Sequence, residues 1–204
     1  MSLADYTGLK AEVSDWLHRA DISSQADTFI DLFESEFNAN VRVRQMEQRT
    51  QLTSTAGYLT HPTNWLGWKG IRGTVGSDVY YLEPATDEIV IQYTGTESST
   101  DTPRYYKVEG TKTYLYPPAT GVVLTCIYHE GVGLSSGTNW LLTSHPQAYL
   151  FGALLQANIY TVNDPRVPLW KSAYDNAVYS VKMDSKRGEW SGQELQMKSD
   201  VRAV

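Results

Sequence analysis

The stretch from Thr138 to Met183 constrains the fold most, because it contains two consecutive helical patterns with clear start signals. The first helix is expected to begin after the hydroxyl N-cap Ser144, with Pro146 in its opening turn, where a missing N–H costs nothing. The second repeats this arrangement with Asp164 as the cap and Pro165 at the first position. Apolar residues recur at three- and four-residue spacing in both helices. They are Tyr149, Leu150, Ala153, Leu154, Ala157 and Tyr160 in the first, and Leu169, Trp170, Ala173, Tyr174, Ala177, Val178 and Val181 in the second. The stretch predicts a helical hairpin whose apolar faces must be covered.

Two further helices are predicted near the N-terminus. The first spans residues 6–20, where Leu9, Val13, Trp16 and Leu17 recur with helical spacing. After a break, a second helix is expected from Gln25 to Val41, begun by a capping box of Ser24 and Asp27. Because one helix pair lies at each end of the sequence, the two pairs are expected to come together as one helical body.

Between these pairs the apolar period changes to two, which is typical of strands. The predicted strands are Asp78–Leu82, Glu88–Tyr93, Arg104–Val108, Lys112–Tyr116 and Val122–Tyr128. The predicted fold class is therefore α+β, an antiparallel helical bundle formed by the N- and C-terminal helix pairs with an inserted all-β module. The expected divisions are an N-terminal helix pair (1–47), the β module (48–137), the C-terminal hairpin (138–185) and an extended C-terminal arm (186–204).

Composition excludes several classes of protein. A net charge of -6 argues against a protein that grips nucleic acid over a wide basic face. A single cysteine, Cys126, rules out a disulfide framework and a zinc cluster built on cysteine pairs. The N-terminus lacks the features of a signal peptide, and no apolar run approaches the roughly 20 residues of a membrane span. We therefore expect no membrane association.

No catalytic, metal or cofactor site is predicted, and we expect the protein not to be an enzyme. The histidines, His18, His61, His129 and His145, are scattered without ligand spacing. His129 and Glu130 are adjacent on a predicted strand, so their side chains point to opposite faces. Cys126 shares a strand face with apolar residues, which favours a buried, inert thiol.

Two features suggest binding surfaces. Arg42, Arg44 and Arg49 are either solvated cations at a helix end or a salt-dependent contact with a neighbouring subunit or an acidic partner. The tyrosine pairs Tyr80-Tyr81 and Tyr105-Tyr106 must place one ring on each face of a strand. Exposed rings on a sheet suit protein interfaces or sugar stacking.

Three motifs in order resemble the head-to-tail connector, or portal adaptor, proteins of tailed bacteriophages. The opening, YTGLKAEVSDWLHRADISSQADTFIDLFESEFNANVRVRQME, is similar to the family's first helix pair. The middle, YYKVEGTKTYLYPPATGVVLTCIYHE, resembles its strand pair and following strand, and TNWLLTSHPQAYLFGALLQANIYTVNDPRVPLWKSAYDNAV resembles its hairpin. The chain departs from the pattern at His145, where an aromatic residue is expected before the proline.

The resemblance implies a structural virion protein of the phage neck, made in the host cytoplasm. It would form a ring of twelve copies beneath the portal ring, extend the channel through which genomic DNA passes without sequence-specific binding, and dock a tail or nozzle protein. By the same analogy the C-terminal arm would bind the portal through Lys186, Arg187, Trp190, Leu195, Met197 and Val201. The alternative is a carbohydrate- or receptor-binding β module of a phage tail component.

Overall fold

The chain divides into two compact units. The computed structural model describes residues 3–22, 24–93, 95, 101–134, 137–161 and 164–190. The helical unit comprises Met1–Phe33, Val43–Gln45 and Ser136–Val204, and the β unit comprises Glu34–Arg42 and Met46–Ser135. The helices of the described residues are α1 (Tyr6–Leu17), α2 (Ala26–Asn40), α3 (Asp87–Gln92), α4 (Trp140–Ser144), α5 (Pro146–Thr161) and α6 (Val167–Trp190). The strands are β1 (Glu47–Thr53), β2 (Tyr58–Thr60), β3 (Trp65–Val75), β4 (Asp78–Tyr81), β5 (Glu83–Pro84), β6 (Tyr105–Glu109), β7 (Lys112–Tyr116) and β8 (Val123–Glu130).

The two N-terminal helices lie where the sequence predicts them. Asp5 caps α1, because its carboxylate accepts a 2.7 Å hydrogen bond from the Gly8 N–H. His18 ends α1 in the left-handed region, with φ of 52°. Lys10 then joins α1 to α2 through an ion pair of 2.8 Å between its Nζ and Asp27 Oδ1.

The C-terminal hairpin is present, and its first helix begins within one residue of the predicted start, whereas the start of the second is displaced. Residues before the first helix form the separate helix α4, capped by Asn139, and His145 ends it before α5 begins at Pro146. The second helix begins at Val167 rather than at Pro165, because the Asp164 carboxylate accepts from the Arg166 N–H at 2.9 Å and stabilises a turn. Leu169 and Tyr160, expected on the covered faces, are 69% and 53% exposed.

The core of the helical unit forms around α5. Phe33 from α2 is completely buried, with its ring centroid 5.0 Å from that of Tyr149 and 6.1 Å from that of Tyr174. Trp16 of α1 meets Phe151 edge-on at 5.6 Å. α5 is buried on more than one side because α1, α2 and α6 all supply partners to it, which explains why its apolar residues are not confined to one stripe.

The β unit contains two four-stranded sheets. Their strand orders are β1-β8-β3-β4 and β2-β7-β6-β5. Every pairing is antiparallel except that of β5 with β6. Residues of both sheets share one apolar cluster, which contains Leu59, Ile71, Tyr80, Leu82, Leu115, Leu124 and Cys126. The last turns of α2 belong to this unit, since the Asn38 amide exchanges hydrogen bonds of 2.8 and 2.7 Å with the Val132 backbone.

The predicted fold class was wrong because it assigned the helices the main body of the protein and the strands only an insertion. The protein is a mixed α+β chain in which the β part is a major unit of two sheets, rather than a module inserted in a helical bundle. The error arose because β1 and β3 lack the regular alternation of apolar residues by which strands are predicted. β1 is an edge strand whose one aliphatic residue is Leu52, and β3 has register shifts at Trp65/Gly67 and Trp68/Gly70 that break its period.

A second error concerns residues 88–93, which were predicted as a strand and mostly lie in α3. Thr86 caps this helix by accepting from the Ile89 N–H, and Asp87 and Glu88 occupy the first turn, where the helix dipole favours acids. No residue of α3 is buried. The alternation of apolar residues was therefore outweighed by a local helix start signal.

Candidate interaction surfaces

Among the described residues, no group of three or more His, Cys, Asp or Glu side chains is placed so that it could hold a metal ion. Cys126 is fully buried, and desolvation raises the pKa of its thiol to about 12. A thiol with this pKa stays protonated at neutral pH and is a poor nucleophile.

His145 stands where the connector motif has an aromatic residue before the proline. It links three helices of the helical unit. Its backbone N–H donates to Leu141 O at the end of α4. Its Nε2 lies 3.1 Å from Asp184 Oδ2 of α6. A polar contact thus holds the junction between α4 and α5 against α6.

The three arginines grouped in the sequence have three different environments. Arg42 donates from Nη1 to the Asn38 and Val41 carbonyl oxygens, where it satisfies the end of α2. The Arg44 N–H donates to Ser185 Oγ at 2.9 Å, and its guanidinium lies over Gly188, where a Cβ would come within 2.2 Å of Nη2. Arg49 is exposed on β1. Two of the three thus make contacts within the chain, and the contact with a neighbouring subunit remains a prediction.

Arg49 lies on an exposed face of the sheet β1-β8-β3-β4, which we call the outer sheet face. Cross-strand pairs define its rows: Arg49 with Ile127, then Arg72 with Tyr81, then Thr74 with Val79. Its members are Arg49, Gln51, Thr53, Gly70, Arg72, Thr74, Val79, Tyr81, Val123, Thr125 and Ile127. Tyr81, Val79 and Val123 are 70%, 50% and 51% exposed. This face combines large apolar side chains with two arginines, which is the composition enriched in protein interfaces.

Most of this face was not predicted from the sequence. Tyr80 is buried and Tyr81 is exposed, so the prediction of one ring on each side of the strand is confirmed. Arg72 and Val79 were not singled out, although the turn at Gly76 and Ser77 with alternating residues on each side was a usable hairpin signal. Only the register with β8 shows that Arg49 and Arg72 share one face.

A second aromatic group lies where β3 begins. The His61 ring stacks on Trp65 at 3.8 Å, and Trp68 lies 5.3 Å from Trp65. The fully buried Thr113 Oγ1 accepts from Trp68 Nε1 at 2.7 Å and lies 2.8 Å from His61 Nε2. Burial lowers the pKa of His61, so the folded protein favours its neutral ring.

We expect this histidine to make stability depend on pH. A histidine whose pKa is lower in the folded than in the unfolded state stabilises fully above about pH 6.5, and this contribution is lost as the pH falls toward the folded pKa. The melting temperature should therefore fall between about pH 7.5 and about pH 5.5, and by less in His61→Gln. His129, whose pKa burial also lowers, supplies the remaining fall. An equal fall in both proteins would contradict this assignment.

The predicted portal-binding residues lie at and beyond the end of α6. Lys186 and Arg187 are exposed on its last turns, and Arg187 Nη1 lies 3.7 Å from Asp184 Oδ1. Trp190 ends α6, so residues 186–190 are helical rather than extended. Leu195, Met197 and Val201 fall outside the described residues.

Comparisons with known proteins give a match to a protein family and none to a curated protein. In the part of the chain that the structure describes, every helix is too short or too polar to cross a bilayer. A search of curated proteins finds no match to the chain. The SU10 adaptor protein family, in contrast, matches residues 4–196, which include the β unit and most of the helical unit. The chain therefore belongs to the SU10 adaptor protein family, a family of structural head-to-tail adaptors of bacteriophages.

Proposed function

We propose that this protein assembles as a ring of twelve copies beneath the portal ring of a phage head. In this role it extends the DNA channel and presents a docking surface for a tail or nozzle protein. The family match over residues 4–196 carries the proposal. It implies a virion protein of the neck that is made in the host cytoplasm and acts without a cofactor or catalysis.

The charge of the chain supports the passage of DNA through such a ring. With a net charge of -6 per copy, a ring would repel DNA phosphates on average rather than bind them. A closed ring also needs two different complementary patches on each subunit, because its contacts are head-to-tail. Two units with different surfaces in one chain can supply such a pair.

We assign the portal contact to the C-terminal arm, through Lys186, Arg187, Trp190, Leu195, Met197 and Val201. Lys186 and Arg187 are exposed, so they are accessible to a partner. Ordering one arm on the portal costs conformational entropy. The weak contacts of many subunits on the same portal ring together offset this cost.

Light scattering tests this function on the purified chain, alone and mixed with its portal ring. We expect a stoichiometric complex of defined mass with the portal, and a chain shortened after Trp190 should bind the portal more weakly while remaining folded. A chain that ignores portals but binds a glycan would contradict the proposal. That outcome would favour the carbohydrate- or receptor-binding alternative, with Tyr81 as the first ring to test.

A further inference from the structure

The outer sheet face carries positive charge on an acidic protein. Arg49 and Arg72 are its only ionisable cations, and none of its members is acidic. Neither arginine has an ion pair among the residues that the structure describes. The next row contains Glu47, whose carboxylate is neutralised by Lys69 at 2.5 Å. The face therefore has two uncompensated cations among exposed valine, tyrosine and threonine side chains.

The negative charge of the chain is concentrated elsewhere. Residues 1–41 contain eight of the 23 acidic residues and two of the 17 basic residues, so the rest of the chain has fifteen of each and is neutral. Within this segment, Lys10 of α1 pairs with Asp27 of α2, and Arg19 pairs with Asp21 in the connection between the two helices. Asp15 and Asp31 are exposed, and in the described ranges neither has a cationic partner.

We propose that the outer sheet face of one copy docks on the acidic α1–α2 surface of the neighbouring copy, with Arg49 and Arg72 opposite Asp15 and Asp31. This inference rests on the proposed ring, whose head-to-tail contacts need two different patches on each subunit. One chain carries both patches, one with excess positive charge and one with excess negative charge. The apolar side chains, Tyr81 above all, supply the desolvated centre of the contact, and the charges fix its register.

A second copy fits this face better than DNA does. Binding to phosphates relies on many cations, and its affinity depends on the number of phosphates that they neutralise. Here the two arginines are spaced among Val79 and Val123, which are about half exposed and offer nothing to a phosphate, and Tyr81, which is 70% exposed. Neighbouring exposed apolar side chains of this kind are typical of a surface that another protein covers.

The test is a charge exchange, measured as the number of copies held by each portal ring. Arg72→Glu and Asp31→Arg should each increase, by about tenfold, the protein concentration at which half of the positions on the portal ring are filled. The reason is that each substitution places like charges opposite each other. The chain with both substitutions should recover most of the loss. Lys182→Glu on α6, an exposed cation outside both surfaces, should behave as the unsubstituted chain does.

The outcomes separate this contact from the proposed function. If the unsubstituted chain fills the portal ring and Arg72→Glu does so equally well, the ring stands and this contact is wrong. A second outcome is that Arg72→Glu does not fill the ring, that Asp31→Arg alone fills it normally, and that adding Asp31→Arg to Arg72→Glu restores nothing. The outer sheet face would then meet a different partner, such as the portal or DNA, and the inference is overturned. If the unsubstituted chain never fills the ring, the proposed function fails and this inference fails with it.

Discussion

Phe33→Ala is expected to lower the free energy of unfolding of the helical unit by about 3–5 kcal/mol, the usual cost of emptying a fully buried phenylalanine site. The ring is completely buried and contacts Tyr149 and Tyr174. It also lies against Gly152 of α5. Because α2, α5 and α6 all meet this ring, no single helix can shift to fill the cavity. Denaturant unfolding followed by helical circular dichroism measures the loss.

Leu32→Ala is the matched control for this prediction. Leu32 is the preceding residue of α2 and is 47% exposed, so its loss should be a small fraction of that at Phe33. Equal losses for the two variants would show that Phe33 is not the centre of the core.

Gly152→Ala is expected to destabilise the same unit by about 1–3 kcal/mol, although alanine is the better helix former. A Cβ at this position would lie 2.1 Å from Phe33 Cδ2 and 2.5 Å from Cε2. The buried ring has no room to move, so the overlap forces the helices apart. Gly67→Ala, where a Cβ meets nothing within 4 Å, is the control and should cost far less.

A double-mutant cycle separates this overlap from other causes. In a Phe33→Ala background the ring is absent, so Gly152→Ala should cost nothing or should stabilise, because alanine favours the helix by about 1 kcal/mol over glycine. The same cost in both backgrounds would mean that the helix start or the hairpin, rather than the ring, is disturbed.

The helices were predictable to the extent that their signals are local. α1 and α2 follow from apolar spacing within a dozen residues. The first hairpin helix begins at Pro146 as predicted, but Ser144 ends the preceding short helix, which Asn139 caps. The second start was displaced because Asp164, a suitable cap by type, stabilises a turn instead. Residue type alone does not decide which of two nearby caps forms the first helical hydrogen bond.

The β unit was less predictable because its strands are specified by partners distant in the sequence. β8 was found from its own alternation, but β1 and β3 become strands by pairing with it. In β1, Thr50 pairs with Cys126, 76 residues away, and Glu47 pairs with His129, 82 residues away. The outer sheet face is a product of this register, so it could not be identified before the pairing was known.

Electron microscopy of the complex between this protein and its portal ring tests the central claim most directly. The adaptor account predicts one closed ring of twelve copies on one end of the portal, around an open axial channel that continues the portal channel. Single copies scattered on the portal, a ring with a closed axis, or no density beyond the portal would contradict it.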